Sequence, residues 1–185
     1  MGEGYNYSPV ATAKTYLVTG TCTNGSVKWS DSASGSYSLG IETTYGSTIY
    51  WKVTASSGYE APSPASGSVV LNDNDFTLTE QGAATYNTTF VCTAKTYTIR
   101  QYSPNGGSLY WGTSSIASGG GTATLSREFG KKVYWRIDAD RGYDRPSTYY
   151  GDLTFNTTNF NLSGSNADLK SGIVDDCVGK TEYTL

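Results

Sequence analysis

The 185-residue chain contains no histidine. That absence removes the ordinary Ser-His-Asp and Cys-His nucleophile systems, which need an imidazole to take the nucleophile's proton. Cysteine is scarce: Cys22, Cys92 and Cys177 are the three. None stands in a paired metal spacing, and a thiolate-only zinc site usually needs about four of them. An odd count at wide separation gives no disulfide framework, so the three read as small buried hydrophobes in a reducing compartment. Basic runs are missing and the net charge is −3. Nucleic-acid binding needs clustered Lys and Arg to neutralise phosphates, so that class is not expected. No apolar stretch approaches the roughly 20 residues that cross a bilayer as a helix, so membrane insertion is not expected. Residues 1–30 carry no basic-then-apolar leader pattern, from which we expect no export by a cleavable signal. Helical periodicity of useful length is also missing.

What the chain does contain is a repeat. Tyr5-Asn6-Tyr7-Ser8-Pro9-Val10-Ala11-Thr12-Ala13-Lys14-Thr15-Tyr16 returns 81 residues later as Tyr86-Asn87-Thr88-Thr89-Phe90-Val91-Cys92-Thr93-Ala94-Lys95-Thr96-Tyr97. A worn copy of its second half, Cys177-Val178-Gly179-Lys180-Thr181-Glu182-Tyr183-Thr184-Leu185, closes the sequence. Self-similarity at a fixed period outranks length as a guide to architecture. We therefore expect a first repeat over 1–84, a second over 85–166, and a tail over 167–185 holding one strand of a third. A unit of roughly 80 residues buries only about 60–65% of its unfolded surface and is marginal alone.

Strand patterns fill each repeat. Thr15–Thr21 alternates, and Asn24-Gly25 is a turn signal followed by Val27 and Trp29 on one face. Leu109 and Trp111 match them in the second repeat. Segments 36–42 and 122–127 read as weak strands. The strongest strands are Thr48–Ala55 and Lys132–Ala139. Period two turns Ile49, Trp51, Val53 and Val133, Trp135, Ile137 inward, and turns Tyr50, Lys52, Thr54 and Tyr134, Arg136, Asp138 outward. All four tryptophans, Trp29, Trp51, Trp111 and Trp135, thus read as core anchors in two repeat-related pairs. Gly58-Tyr59-Glu60-Ala61-Pro62 and Gly142-Tyr143-Asp144-Arg145-Pro146 are fixed bends. Short strands near 67–71, 75–79, 151–155 and 159–162 close the repeats. About six short strands at roughly ten-residue spacing predict an all-β chain of two tandem Ig-like β-sandwich repeats with a short C-terminal extra strand.

Candidate chemistry is thin. Asp73/Asp75 flank a turn asparagine, and Asp138/Asp140 sit beside Arg136 and Arg141 at what reads as a solvated strand end. The first pair answers to Thr157-Thr158-Asn159, so a metal site shared by both repeats is disfavoured. No catalytic residue, cofactor or metal ligand is assigned, and no enzymatic activity is expected. The remaining signal is aromatic: 16 Tyr, 5 Phe and 4 Trp. Outward Tyr50, Tyr110, Tyr134, Tyr149 and Tyr150, with Tyr183 and Leu185 of the tail, are the interface candidates. Tyrosine suits protein interfaces and sugar rings alike, being large, stiff and amphipathic.

The succession of strand, Asn-Gly turn, Tyr45-Gly46 or Phe129-Gly130, a Tyr-Trp strand and Gly-Tyr-Glu/Asp resembles bacterial and phage Ig-like or listerial-type β-repeat modules of surface and virion proteins. It runs over 14–79 and 95–162, with Pro62 and Pro146 where a tryptophan is usual. The resemblance implies a displayed, non-enzymatic module: a structural or host-contacting virion component such as a capsid decoration, head fibre or tail protein. Its partners would be other copies of itself, other virion proteins or a host-surface glycan. The alternative it implies is a bacterial surface adhesin or carbohydrate-binding module.

Overall fold

The computed structural model describes residues 11–181, and every regular element among them is a β-strand. In chain order these are β1 (Thr15–Thr19), β2 (Cys22–Thr23), β3 (Gly25–Ser30), β4 (Ile41–Thr44), β5 (Thr48–Ala55), β6 (Tyr59–Glu60), β7 (Ser66–Val70), β8 (Phe76–Leu78), β9 (Ala83–Tyr86), β10 (Phe90–Val91), β11 (Thr93–Ala94), β12 (Thr96–Ile99), β13 (Gly107–Gly112), β14 (Leu125–Glu128), β15 (Lys132–Ala139), β16 (Tyr143–Asp144), β17 (Tyr150–Thr154), β18 (Phe160–Ser163), β19 (Asn166–Leu169) and β20 (Val178–Gly179). They build two compact units, residues 11–56 with 61–93, and residues 57–60 with 94–181.

Each unit is a sandwich of a four-stranded and a three-stranded sheet. In the first the orders are β4-β1-β9-β8 and β3-β5-β7; in the second they are β14-β12-β19-β18 and β13-β15-β17. The opening strand of each unit, β1 or β12, runs antiparallel to one neighbour and parallel to the other, β9 or β19. The parallel partner arrives from the far end of the unit, so the larger sheet closes only when the whole unit has folded.

Alternation in the central strands explains the cores. Trp29 lies opposite Trp51 and Trp111 opposite Trp135. Trp29 and Trp111 are wholly buried, Trp135 is buried and Trp51 is half-buried. Trp29 meets Phe76 and Tyr86 of the facing sheet at ring separations of 6.1 and 5.5 Å, and Trp111 meets Phe160 at 5.8 Å. A glycine on the next strand makes room for the outer indole of each pair. A Cβ on Gly67 would lie 2.6 Å from the Trp51 ring, and one on Gly151 would lie 3.0 Å from Trp135.

Several elements differ from the sequence expectation. Of 36–42 only Ile41 and Glu42 are in a strand, and of 122–127 only 125–127; the residues ahead of them make only single bridges, Trp29 to Ser38 and Trp111 to Thr122. Leu39, read as part of that strand, is 67% exposed. The strands β9 and β19 fall where no strand was expected. They are short, and neither AATY nor NADL carries a β-branched run. The Gly-Tyr bend of the first repeat serves the second unit: Lys95 N–H donates to Gly58 C=O at 2.9 Å, and Tyr59 stands edge-on to Phe129 at 5.4 Å. At the equivalent bend Lys180 N–H donates to Gly142 C=O at 2.9 Å, and β20 pairs with β16 of the same chain. Val178–Gly179 is thus paired within its own chain. Tyr183 and Leu185 lie outside the described residues.

Candidate functional site

The outer surface of the β13-β15-β17 sheet carries the most concentrated polar chemistry in the second unit. Arg136 sits in the middle strand, and register places Tyr110 of β13 and Tyr150 of β17 directly opposite it on either side. Strict alternation turns all three away from the tryptophan core. Arg136 is nonetheless only 8% exposed, because the loop 113–121 folds over it. That loop can turn back because Gly119, Gly120 and Gly121 hold φ values of 137°, 83° and 95°. Its one large apolar residue, Ile116, is buried and anchors it.

A buried guanidinium must be paired and hydrogen-bonded or it destabilises the fold. Arg136 donates through Nε and Nη2 to the two carboxylate oxygens of Asp138 at 3.2 and 2.6 Å, and through Nη1 to the Ile116 carbonyl at 3.1 Å. Its guanidinium also lies 5.6 Å from the Tyr110 ring centroid. Arg145, on the loop after β16, donates to Asp138 Oδ1 at 2.6 Å and lies over the Tyr149 ring at 4.9 Å. Tyr149 in turn meets Tyr150 edge-on at 5.0 Å. Between them Ala117, Ser118, Gly119, Arg136, Asp138 and Arg145 line an open pocket of about 160 Å³.

Two guanidiniums around one carboxylate leave a formal charge of +1 in a chain of net charge −3. Of the five N–H groups of a guanidinium, Arg136 spends three and Arg145 one on these contacts. The pocket can therefore hold a small anionic or polyhydroxylated group, and the Tyr110 and Tyr149 rings back the two guanidiniums that line it. No proton-transfer pair or nucleophile is assembled there.

Of the residues singled out in the sequence, the structure places Tyr110 and Tyr150 in register beside Arg136 and Tyr149 against Arg145, next to this pocket but not in its lining. Tyr134 lies on the same sheet surface two residues along β15, opposite Asp152. Tyr50 occupies the equivalent place in the first unit, between Ser30 and Ser68. From the sequence Asp138 and Arg136 read as a solvated strand end and Arg145 as part of a bend, so neither arginine stands out as a site residue. The available signal was a comparison of the repeats: where the second unit has Tyr110, Arg136 and Tyr150 in register, the first has Lys28, Lys52 and Ser66.

No protein-family model matches this chain. No curated protein matches it either. Among solved structures it is similar to the structure of the Streptococcal ancillary pilin, at 12% identity and a TM-score of 0.26. That match covers 85% of this chain and 63% of the other, so the chain spans less than two thirds of the pilin's length. At that score the likeness carries no argument.

Proposed function

We propose that this protein is a non-enzymatic structural or host-contacting component of a bacteriophage virion, in a capsid decoration, head fibre or tail, and that it engages its partner through the tyrosine–arginine surface of the second unit. The observation that carries a contact role is the inequality of two otherwise equivalent sheets. The first unit folds with Lys28, Lys52 and Ser66 in the places of Tyr110, Arg136 and Tyr150. The fold does not require the second set, so a use outside the fold explains it. The virion setting is supported by the repeat-module resemblance and by three free thiols, which suit assembly in a reducing cytoplasm. Immunogold labelling of cultures that make the protein tests the setting. Label on released particles is expected; label confined to the cell envelope overturns the virion reading.

The pocket itself favours a second reading, a bacterial surface adhesin or carbohydrate-binding module. Spare guanidinium hydrogens beside tyrosine rings suit an acidic sugar. A glycan array decides between them. Selective binding of uronate- or sialate-bearing glycans, weakened about tenfold or more by Tyr110→Ala or Arg145→Ala, establishes the second reading. An array without selective binding leaves protein partners, other copies or other virion proteins, as the occupants of this surface.

A further inference from the structure

In the first unit two thiols 70 positions apart in the sequence meet, Cys22 Sγ and Cys92 Sγ, 3.7 Å from each other. Backbone pairing sets their approach. β2 and β10 run parallel with Phe90 opposite Cys22, and Cys92 N–H donates to the Thr23 carbonyl at 3.0 Å. Gly25 supplies the space: a Cβ there would lie 2.8 Å from Cys92 Sγ and 3.1 Å from Cys22 Sγ.

The second unit repeats this backbone with one thiol. Cys177 N–H donates to the Asn105 carbonyl at 3.0 Å, and a Cβ on Gly107 would lie 2.7 Å from Cys177 Sγ. The residue before Asn105, in the place of Cys22, is Pro104. The fold therefore needs a small side chain at Cys92 and Cys177 and has no need of a thiol at Cys22. Two thiols facing each other in one unit, where a single one suffices in the other, call for a separate explanation.

We propose that Cys22 and Cys92 are an oxidation site, forming an intramolecular disulfide that staples β2 to β10 when the protein meets a small disulfide oxidant such as glutathione disulfide. The inference uses none of the residues of the tyrosine–arginine surface. To reach bonding distance the sulfurs must close from 3.7 Å by roughly 1.6 Å. Cys22, the half-buried member, gives its proton to water, and its thiolate attacks one sulfur of the oxidant, expelling one glutathione thiolate. Cys92 then loses its proton and attacks the Cys22 sulfur, expelling the second. Two thiols are oxidised, one disulfide is reduced to two thiols, and two electrons move. Burial, and then the neighbouring Cys92 thiol, push the Cys22 thiol up to about 11. Thiolate is therefore scarce at neutral pH, and below that value the first step accelerates about tenfold per pH unit.

Purified full-length protein is incubated with glutathione disulfide at pH 8 and pH 9, then denatured, alkylated and mapped by mass spectrometry. We expect accessible thiols to fall from three to one, a single cross-linked peptide pair holding Cys22 and Cys92, and a rate about tenfold higher at pH 9. The oxidised protein melts about 10 °C or more above the reduced one, and Cys177→Ser behaves the same way. Three persisting thiols, a glutathione adduct on Cys22 that never resolves, or a cross-link that includes Cys177 each overturn the proposal.

Discussion

At the scale of single residues, alternation along β3, β5, β13 and β15 makes the four tryptophans look alike, and the structure ranks them. Trp29 and Trp111 are at 0% exposure while Trp51 remains half-buried. Replacing Trp29 or Trp111 by alanine is expected to cost about 3–5 kcal/mol in urea unfolding, with Trp51→Ala costing visibly less. Equal losses for Trp29→Ala and Trp51→Ala would contradict this ranking. The inward assignment of these residues was legible, since period two needs only the strand itself. Their unequal depth was not, because it depends on what other strands lay over each ring, as Phe90 lies 4.6 Å from Trp51. Cys22 adds a pH signature. Its folded-state thiol is raised from 9.0 to about 11, so the stability it contributes is full below pH 9 and lost as pH rises through about 11. The stability gap between reduced wild type and Cys22→Ser is therefore expected to move against the wild type across that window, and a gap constant from pH 8 to 11 contradicts the burial argument.

At the scale of elements, β15 carries both halves of the second unit's design: Val133, Trp135 and Ile137 face the core, while Tyr134, Arg136 and Asp138 face outward. Asp138 receives three hydrogen bonds from two guanidiniums and is their one carboxylate partner at this pocket. Asp138→Asn leaves the buried Arg136 charge uncompensated and is expected to cost about 1–3 kcal/mol by urea unfolding. Arg136→Met removes the charge together with its need for a partner, so it is expected to cost less. The reverse order would mean that the pocket is held together by something other than this ion pair. The short C-terminal strand belongs to the same scale. Cys177 is 5% exposed within the second unit's core and β20 is paired inside the chain. Removing 177–185 is thus expected to lower the melting temperature without changing the mass seen by light scattering, and a drop in mass would show that the segment joins subunits.

At the scale of the whole chain, the repeat made the all-β sandwich legible, because the same alternation and the same bends occur twice. The candidate site was not legible in that way. Tyr110, Arg136, Arg145 and Tyr150 come from different strands and loops, and only the registers of β13, β15 and β17 bring them together. The strands β9 and β19 were missed for a related reason, since their pairing with β1 and β12 is non-local. What the two units share is therefore the tryptophan core, and what distinguishes them is local chemistry: a thiol pair in the first, a guanidinium–tyrosine pocket in the second. Their cores are built from separate residues, Trp29 with Phe76 and Tyr86 in one, Trp111 with Phe160 in the other. Substitutions that share no contacts add to within about 0.5 kcal/mol, whereas those in one packed cluster do not. The double variant Trp29→Ala/Trp111→Ala is accordingly expected to lose the sum of the two single losses in urea unfolding. Trp111→Ala combined with Phe160→Ala, inside one core, is expected to lose clearly less than its sum, because the first substitution already removes the contact that the second would break. Strong non-additivity between Trp29 and Trp111 would mean that the two units do not hold their stability separately.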